Sequence, residues 1–125
     1  MIEVAKALII KDKKYLLLKR SPDSKFFAGQ WDFPGGKLEL GEGVLPGLIR
    51  ESFEETNLLI EPSEKVGDFN SSENDRDIHF QIFSTKNFSG EIRLSNDHTD
   101  FSWAGKEEAM NYDITPVVRL YFESR

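Results

Sequence analysis

The sequence predicts an α/β fold, and three observations carry that reading. Runs rich in β-branched, aromatic and leucine residues flank a polar turn near the amino terminus and recur in the second half of the chain. Between them, Leu45, Leu48, Ile49 and Phe53 recur at intervals of three and four, as in a helix packed on a sheet. Near the carboxyl terminus, Thr115-Pro116 reads as an N-cap followed by proline at the first helical position. A length of 125 residues, 38% hydrophobic and 12% aromatic, suits one domain over residues 1–125 with a single core.

Each element follows from local patterning. Strands are expected over Glu3–Lys11 and Tyr15–Arg20, joined at Asp12-Lys13-Lys14, and an irregular loop follows to Gly36. The central helix is expected to begin between Gly43 and Pro46, because proline is tolerated in a first turn whose N–H groups lack intrahelical partners. Gly47 costs that helix roughly 1 kcal/mol relative to alanine. Two more strands are expected over Lys65–Ser71 and Asp77–Asn87, with Asn70–Arg76 as a polar connection. Ile92–Leu94 and Asp100–Ala104 read as short strands, Lys106–Tyr112 as a turn of helix, and Pro116–Glu123 as the final helix.

The helix carries chemistry as well as core. At about 100° per residue, Glu51 and Glu55 lie nearly above one another and Glu54 sits one step around the same side. Like charges at this spacing destabilise an isolated helix, so a purely structural helix gains nothing by concentrating them. A divalent cation reverses that penalty. Magnesium accepts carboxylate oxygens, keeps several waters and completes its shell with substrate phosphates. The preceding Gly35-Gly36 lets backbone groups approach an anion closely. Loop and helix together read as a site for metal-bound pyrophosphate.

At Gly36, Glu42, Arg50, Glu51, Glu54 and Glu55 the chain resembles the Nudix hydrolases, whose signature box has these residues at these offsets. The approach Trp31-Asp32-Phe33-Pro34-Gly35-Gly36-Lys37 is similar to that of the MutT-like branch. Ser52 stands where that pattern is usually apolar and Asn57 where it is usually glycine; asparagine visits the left-handed conformation that helix C-caps use. The resemblance implies an alpha-beta-alpha sandwich with a mixed sheet and a loop-helix-loop catalytic unit. It also implies hydrolysis of a pyrophosphate bond in a nucleoside diphosphate derivative, with magnesium, for which manganese can substitute.

Carried over position by position, Glu51, Glu54, Glu55 and the Gly35 carbonyl are implied as metal ligands, and Arg50 as the residue orienting a box carboxylate, foremost Glu54. The family draws its general base either from the box or from an acidic residue in a later loop. Here the later candidates are Asp97 and Asp100, within Asn96-Asp97-His98-Thr99-Asp100-Phe101-Ser102-Trp103. His98 reads as a structural or surface histidine. Lys19, Arg20 and Lys37 are candidate phosphate contacts. Phe27 and Trp31 are candidates to stack a base, whereas Phe33 is assigned to packing.

The favoured substrate is a nucleoside triphosphate or deoxynucleoside triphosphate, cut to monophosphate and pyrophosphate. ADP-ribose, a nucleotide sugar or a dinucleoside polyphosphate are the alternatives within hydrolysis. A nucleotide sensor that does not cleave is the alternative outside it, and the intact carboxylates weigh against that. In relatives that clean oxidised guanine nucleotides, an asparagine near the last helix reads the base; the match here falls on Ile114 or Thr115, which puts that specificity in doubt.

Charge and composition exclude other classes. A net charge of -6, from 22 acidic against 16 basic residues, argues against a general nucleic-acid surface. The absence of cysteine leaves no disulfide framework or thiolate metal site and agrees with a cytoplasmic location. Met1–Ile10 lacks the length and pattern of a signal peptide, and no apolar run reaches membrane-spanning length. The expected partner is a small nucleotide, with neither nucleic acid nor membrane.

Overall fold

Val4, Ala5, Ala7 and Leu8 make β1 (Ile2–Leu8) an apolar strand, and in the computed structural model, which describes residues 1–125, it lies inside the sheet. It pairs antiparallel with β5 (Gly35–Lys37) and parallel with β7 (Arg76–Ser89), which in turn pairs antiparallel with β6 (Leu59–Glu73). The sheet order is β5-β1-β7-β6, and the sheet is mixed as expected. A second sheet holds β2 (Ile10–Lys11), β3 (Lys14–Arg20) and β4 (Trp31–Asp32), with β8 (His98–Ala104) also on β3. Only the fully buried Ile9 separates β1 from β2, so the chain passes directly from one sheet to the other.

Alternation along β1 distributes its side chains to two cores. Ile2, Val4 and Leu8 pack with Ile78, Phe80, Phe33 and with Val117, Val118 and Phe122 of α3 (Pro116–Glu123). Ala5 and Ala7 pack with Ile9, Leu16, Leu18 and Leu48 of α1 (Val44–Thr56). The two helices therefore cover opposite faces, giving the alpha-beta-alpha layering. Phe33 is fully buried, as its assignment to packing requires.

The turns are tighter than their polar sequences suggested. Asp12-Lys13 and Asn74-Asp75 both have positive φ, the conformation that two-residue hairpin turns demand. The expected connection Asn70–Arg76 thus shrinks to Asn74-Asp75, and its flanks continue the β6–β7 ladder. Ile92–Leu94 is not a strand. Arg93 within it and Ser95 just after it instead donate their N–H groups to the carbonyls of Thr56 and Glu55, supplying partners that the end of α1 lacks. The turn of helix expected at Lys106–Tyr112 is the short α2 (Lys106–Ala109).

Helix α1 is seated differently from its apolar stripe. Leu45 and Phe53 are exposed, and the buried face is Gly47, Leu48, Ser52, Glu55 and Thr56. That rotation turns Glu55 toward the glycine loop at the cost of burying the Ser52 hydroxyl without a partner. Gly47 also has a packing reason: a Cβ there would lie 2.5 Å from the Leu38 side chain and 2.8 Å from Glu42 Oε1. The helix ends at Asn57 in the left-handed conformation, with its N–H donating to the Phe53 carbonyl.

Candidate active site

Because β1 and β7 are parallel neighbours, Ile2, Val4 and Lys6 share a face with Ile78 and Phe80. They line a cavity of about 380 Å³ whose apolar wall is completed by Phe26 and Phe27. The polar wall brings together Arg20, Asp32, Gly35, Gly36, Lys37, Glu51, Glu55, Asp97 and His98. Apolar side chains and a dense set of charges thus share one cavity.

The peptide of Gly35 is gripped from both sides. Its N–H donates to Glu55 Oε1 at 2.9 Å, and its carbonyl accepts from Lys6 Nζ at 3.0 Å. With φ near +123° and a would-be Cβ running into the Ala5 carbonyl, this position requires glycine. At Gly36 a Cβ would come within 2.5 Å of Glu51 Oε2, so the absence of a side chain is what admits that carboxylate. Glu55 is only 8% exposed. Burial pushes its pKa up to about 8, with the Lys6 charge and the Gly35 N–H opposing and Glu51 and Asp32 adding to the rise. Burial raises Glu51 too, against the pull of Arg50.

Arg50 organises the outer carboxylates. Its principal partner is Glu42, which it grips with Nε at 2.7 Å and Nη2 at 2.9 Å, a bidentate fork. Nη1 reaches Glu51 at 3.0 Å and Glu54 at 3.2 Å. The expectation that Arg50 chiefly orients Glu54 is thereby corrected, since the Glu42 side chain folds back from the loop into closer reach. Hydrogen bonds from Arg50 and from the Glu39 N–H hold Glu42 well below the usual carboxylate range.

Two charged floor residues, Lys6 and Asp32, escaped the sequence reading. Lys6 is 3% exposed and pairs with Asp32 Oδ2 at 2.9 Å. Asp32 also takes the Phe33 N–H at 2.9 Å and the Thr115 hydroxyl at 3.1 Å, with Arg20 at 3.5 Å. Burial opposes its ionisation, yet Lys6 and Arg20 outweigh that and lower its pKa. Thr115 therefore spends its hydroxyl on Asp32 rather than on capping α3. The available signal was a lysine at a position whose neighbours on the same strand face, Ile2, Val4 and Leu8, are all apolar. His98, read as structural or surface, is buried on the cavity wall with Nδ1 unpartnered. Burial and then the Lys6 charge bring its pKa down to about 4.

Other candidates separate by position. Arg20, Phe27, Lys37 and Asp97 line the cavity; Lys19, Trp31, Glu54 and Asp100 are not on its wall. Lys19 and Asp100 are exposed and face each other across the β3–β8 ladder. Trp31 packs on Tyr112 with ring centroids 5.1 Å apart. Glu54 remains outside with Arg50, its side chain 55% exposed. Ile114 is buried in the core and Thr115 is occupied by Asp32, so neither lines the cavity.

The donors on the charged wall are hard oxygens, carboxylates and a peptide carbonyl. No three His, Asp or Glu side chains converge into a cage of their own. Such a set suits magnesium, which is commonly held by one or two carboxylates with substrate phosphates and water completing the shell. Glu55 supplies the further indication: a buried carboxylate of raised pKa is what a nearby cation would keep ionised.

A mixed sheet between two helices, with the glycine loop and carboxylate helix at one edge, defines a class, and comparison with known proteins agrees. Residues 2–122 match the model of the NUDIX domain, so the chain belongs to the Nudix family, and it is a hydrolase of the MutT-like branch. It is 34% identical over 117 residues to the CTP pyrophosphohydrolase of Escherichia coli, covering 94% of this chain and 85% of that one. It is 28% identical over 123 residues to the nucleoside triphosphatase NudI of the same species, covering 90% and 87%. Among solved structures it is similar to the MutT protein of Methanosarcina mazei, with a TM-score of 0.91, 31% identity, and coverage of 98% and 91%. No helix is long and apolar enough to cross a membrane.

Proposed function

We propose that this protein hydrolyses a nucleoside triphosphate to the monophosphate and pyrophosphate in a magnesium-dependent reaction, manganese being able to substitute. The observation that carries the reading is the grip of Glu55 on the Gly35 N–H, which sets a buried carboxylate beside a glycine loop at the charged wall of a cavity. Relatives named for CTP and for nucleoside triphosphates support the substrate class.

In this reading the base lies against Phe26, Phe27, Ile78 and Phe80, and the phosphates extend toward Arg20 and Lys37. Glu51, Glu55 and the Gly35 carbonyl would hold the ion, with Glu54 on the exposed side of the same helix as a further carboxylate. When bound, magnesium neutralises charge on the phosphoryl oxygens and acidifies a ligated water. Net hydrolysis adds water across one bridging P–O–P linkage, the water oxygen bonding to one phosphorus and the bridging oxygen leaving with the other, so that monophosphate and pyrophosphate separate. Asp97 takes the water's proton, being the one of the two later aspartates that borders the cavity. Arg50 positions Glu51 and Glu54 and fastens the loop through Glu42.

A panel of nucleotides incubated with magnesium, with products read by chromatography, tests this. Triphosphates should be cleaved with higher specificity constants than ADP-ribose, and EDTA should abolish turnover. A specificity constant for ADP-ribose above every triphosphate would overturn the substrate class. Tight nucleotide binding with no product at high enzyme concentration would overturn hydrolysis.

A further inference from the structure

Lys6 makes two hydrogen bonds that serve different parts of the site. One goes to Asp32 Oδ2 at 2.9 Å, a carboxylate fixed independently by Arg20, Phe33 and Thr115. The other goes to the Gly35 carbonyl at 3.0 Å, the oxygen assigned above to the metal. The ammonium is a compact point charge on a flexible stem, and nothing else in the protein donates to that oxygen.

We propose that Lys6 is an internal cation that holds the Gly35 carbonyl in the metal-free protein and must release it when a divalent ion binds, so that Lys6 sets the affinity of the site for metal. The inference rests on the magnesium-dependent reading. Magnesium sits about 2.1 Å from its oxygen ligands. An ion on the Gly35 oxygen would therefore lie within roughly 5 Å of an ammonium still bonded to the same atom, close enough for strong repulsion in a buried site. Asp32 provides the retreat. Because three other groups hold that carboxylate, Lys6 can leave Gly35 and remain paired, and its movement is a swing rather than an expulsion. Meanwhile Glu55 keeps hold of the Gly35 N–H, so the peptide stays aimed while its oxygen changes partner.

The test is magnesium titration by calorimetry of the nucleotide-free protein, with Lys6→Met and the double variant Lys6→Met/Asp32→Asn. Methionine keeps length and removes charge; the second change removes the carboxylate that the first leaves with Arg20 as its remaining cation. Both variants should bind magnesium about tenfold more tightly than wild type, roughly the effect of 1.4 kcal/mol. Unchanged or weaker binding in both overturns the inference. So does tighter binding in the single variant alone, because the gain then comes from the freed charge of Asp32. Should Lys6→Met fail to fold, the double variant decides by itself. Wild-type protein that takes up no magnesium at millimolar concentration, alone or with a non-hydrolysable triphosphate, overturns the metal reading itself and the inference with it. Normal uptake by wild type and variants alike rejects only the role of Lys6.

Discussion

Arg50 and Lys6 are both cations set among carboxylates, yet one lies on the outer side of α1 and the other beneath the cavity. The Arg50 side chain is 28% exposed and spreads its guanidinium over Glu42, Glu51 and Glu54. Water screens that network, and losing one contact leaves others. The Lys6 side chain is 3% exposed and balances Asp32 with a single point charge. There each missing charge strands its partner in a low dielectric. The outer network therefore holds shape, while the inner one fixes how much charge the floor can carry.

The largest expected effect is on Glu55, where the inner region meets the chemistry. Glu55→Gln keeps an acceptor for the Gly35 N–H but removes a ligand, so turnover with magnesium should fall by orders of magnitude. Without metal the same variant should be more stable than wild type at pH 8, as melting in EDTA would measure. Turnover near wild type across a magnesium titration would remove Glu55 from the ligand set.

Next comes Asp32→Ala, which strands Lys6. A broken buried pair costs about 3–5 kcal/mol, and denaturant unfolding should show a loss of that size. A loss below about 1 kcal/mol, the range of exposed pairs, would mean that the floor behaves like the surface.

The pH profile sharpens the contrast further. Glu55, with its folded pKa raised to about 8, contributes stability that is full below its unfolded value and is lost as pH rises through 8. His98, lowered to about 4, contributes stability that is lost as pH falls from its unfolded value of 6.5 through 4. Metal-free stability should therefore be level from about pH 4.5 to 6.5, where the two slopes cancel, and fall toward pH 8. Glu55→Gln should remove the alkaline fall and His98→Asn should extend it to lower pH, by a few kcal/mol at most, since one unit is about 1.4 kcal/mol. Melting temperatures in EDTA from acid to mildly alkaline pH would show a single slope if either residue titrates normally.

The smallest stability effect belongs to Arg50→Lys. An ammonium cannot reproduce the fork on Glu42, but solvent screens the loss, so unfolding free energy should fall by only about 1 kcal/mol. Its turnover should fall further than its stability, because Glu51 and Glu54 lose their common anchor. Equal retention of both would show that Glu42 alone fixes the loop.

What could be read from the sequence follows the range of the interactions involved. The inward Glu51 and Glu55, the Asn57 cap and the Pro116 helix start depend on residues a turn apart and stand where their spacing put them, whereas Glu54 turns outward to Arg50. The seating of α1 does not follow from spacing: of its apolar stripe Leu48 is buried and Ile49 packs on the core, but Leu45 and Phe53 are exposed while Glu55 faces inward to Gly35. Lys6 and Asp32 are 26 residues apart and His98 lies farther still, so no local pattern could join them. Asp97 and Asp100 were equivalent as loop acids; the register of β8 on β3 sets Asp100 opposite Lys19 and leaves Asp97 at the cavity.

Asp32 draws donors from Lys6 in the first sheet, Arg20 in the second and Thr115 at the head of the last helix. It works as a rivet through three parts of the molecule, and a cleft riveted at its base cannot widen without tearing buried charges apart. The rim of the cleft between Ser21 and Gln30 is built differently, without buried ion pairs of its own. There Phe27 sits at positive φ, and Arg20 tethers the segment through the carbonyl of Phe26. Efforts to retune ligand choice belong on that rim, where a change of shape leaves the rivet in place.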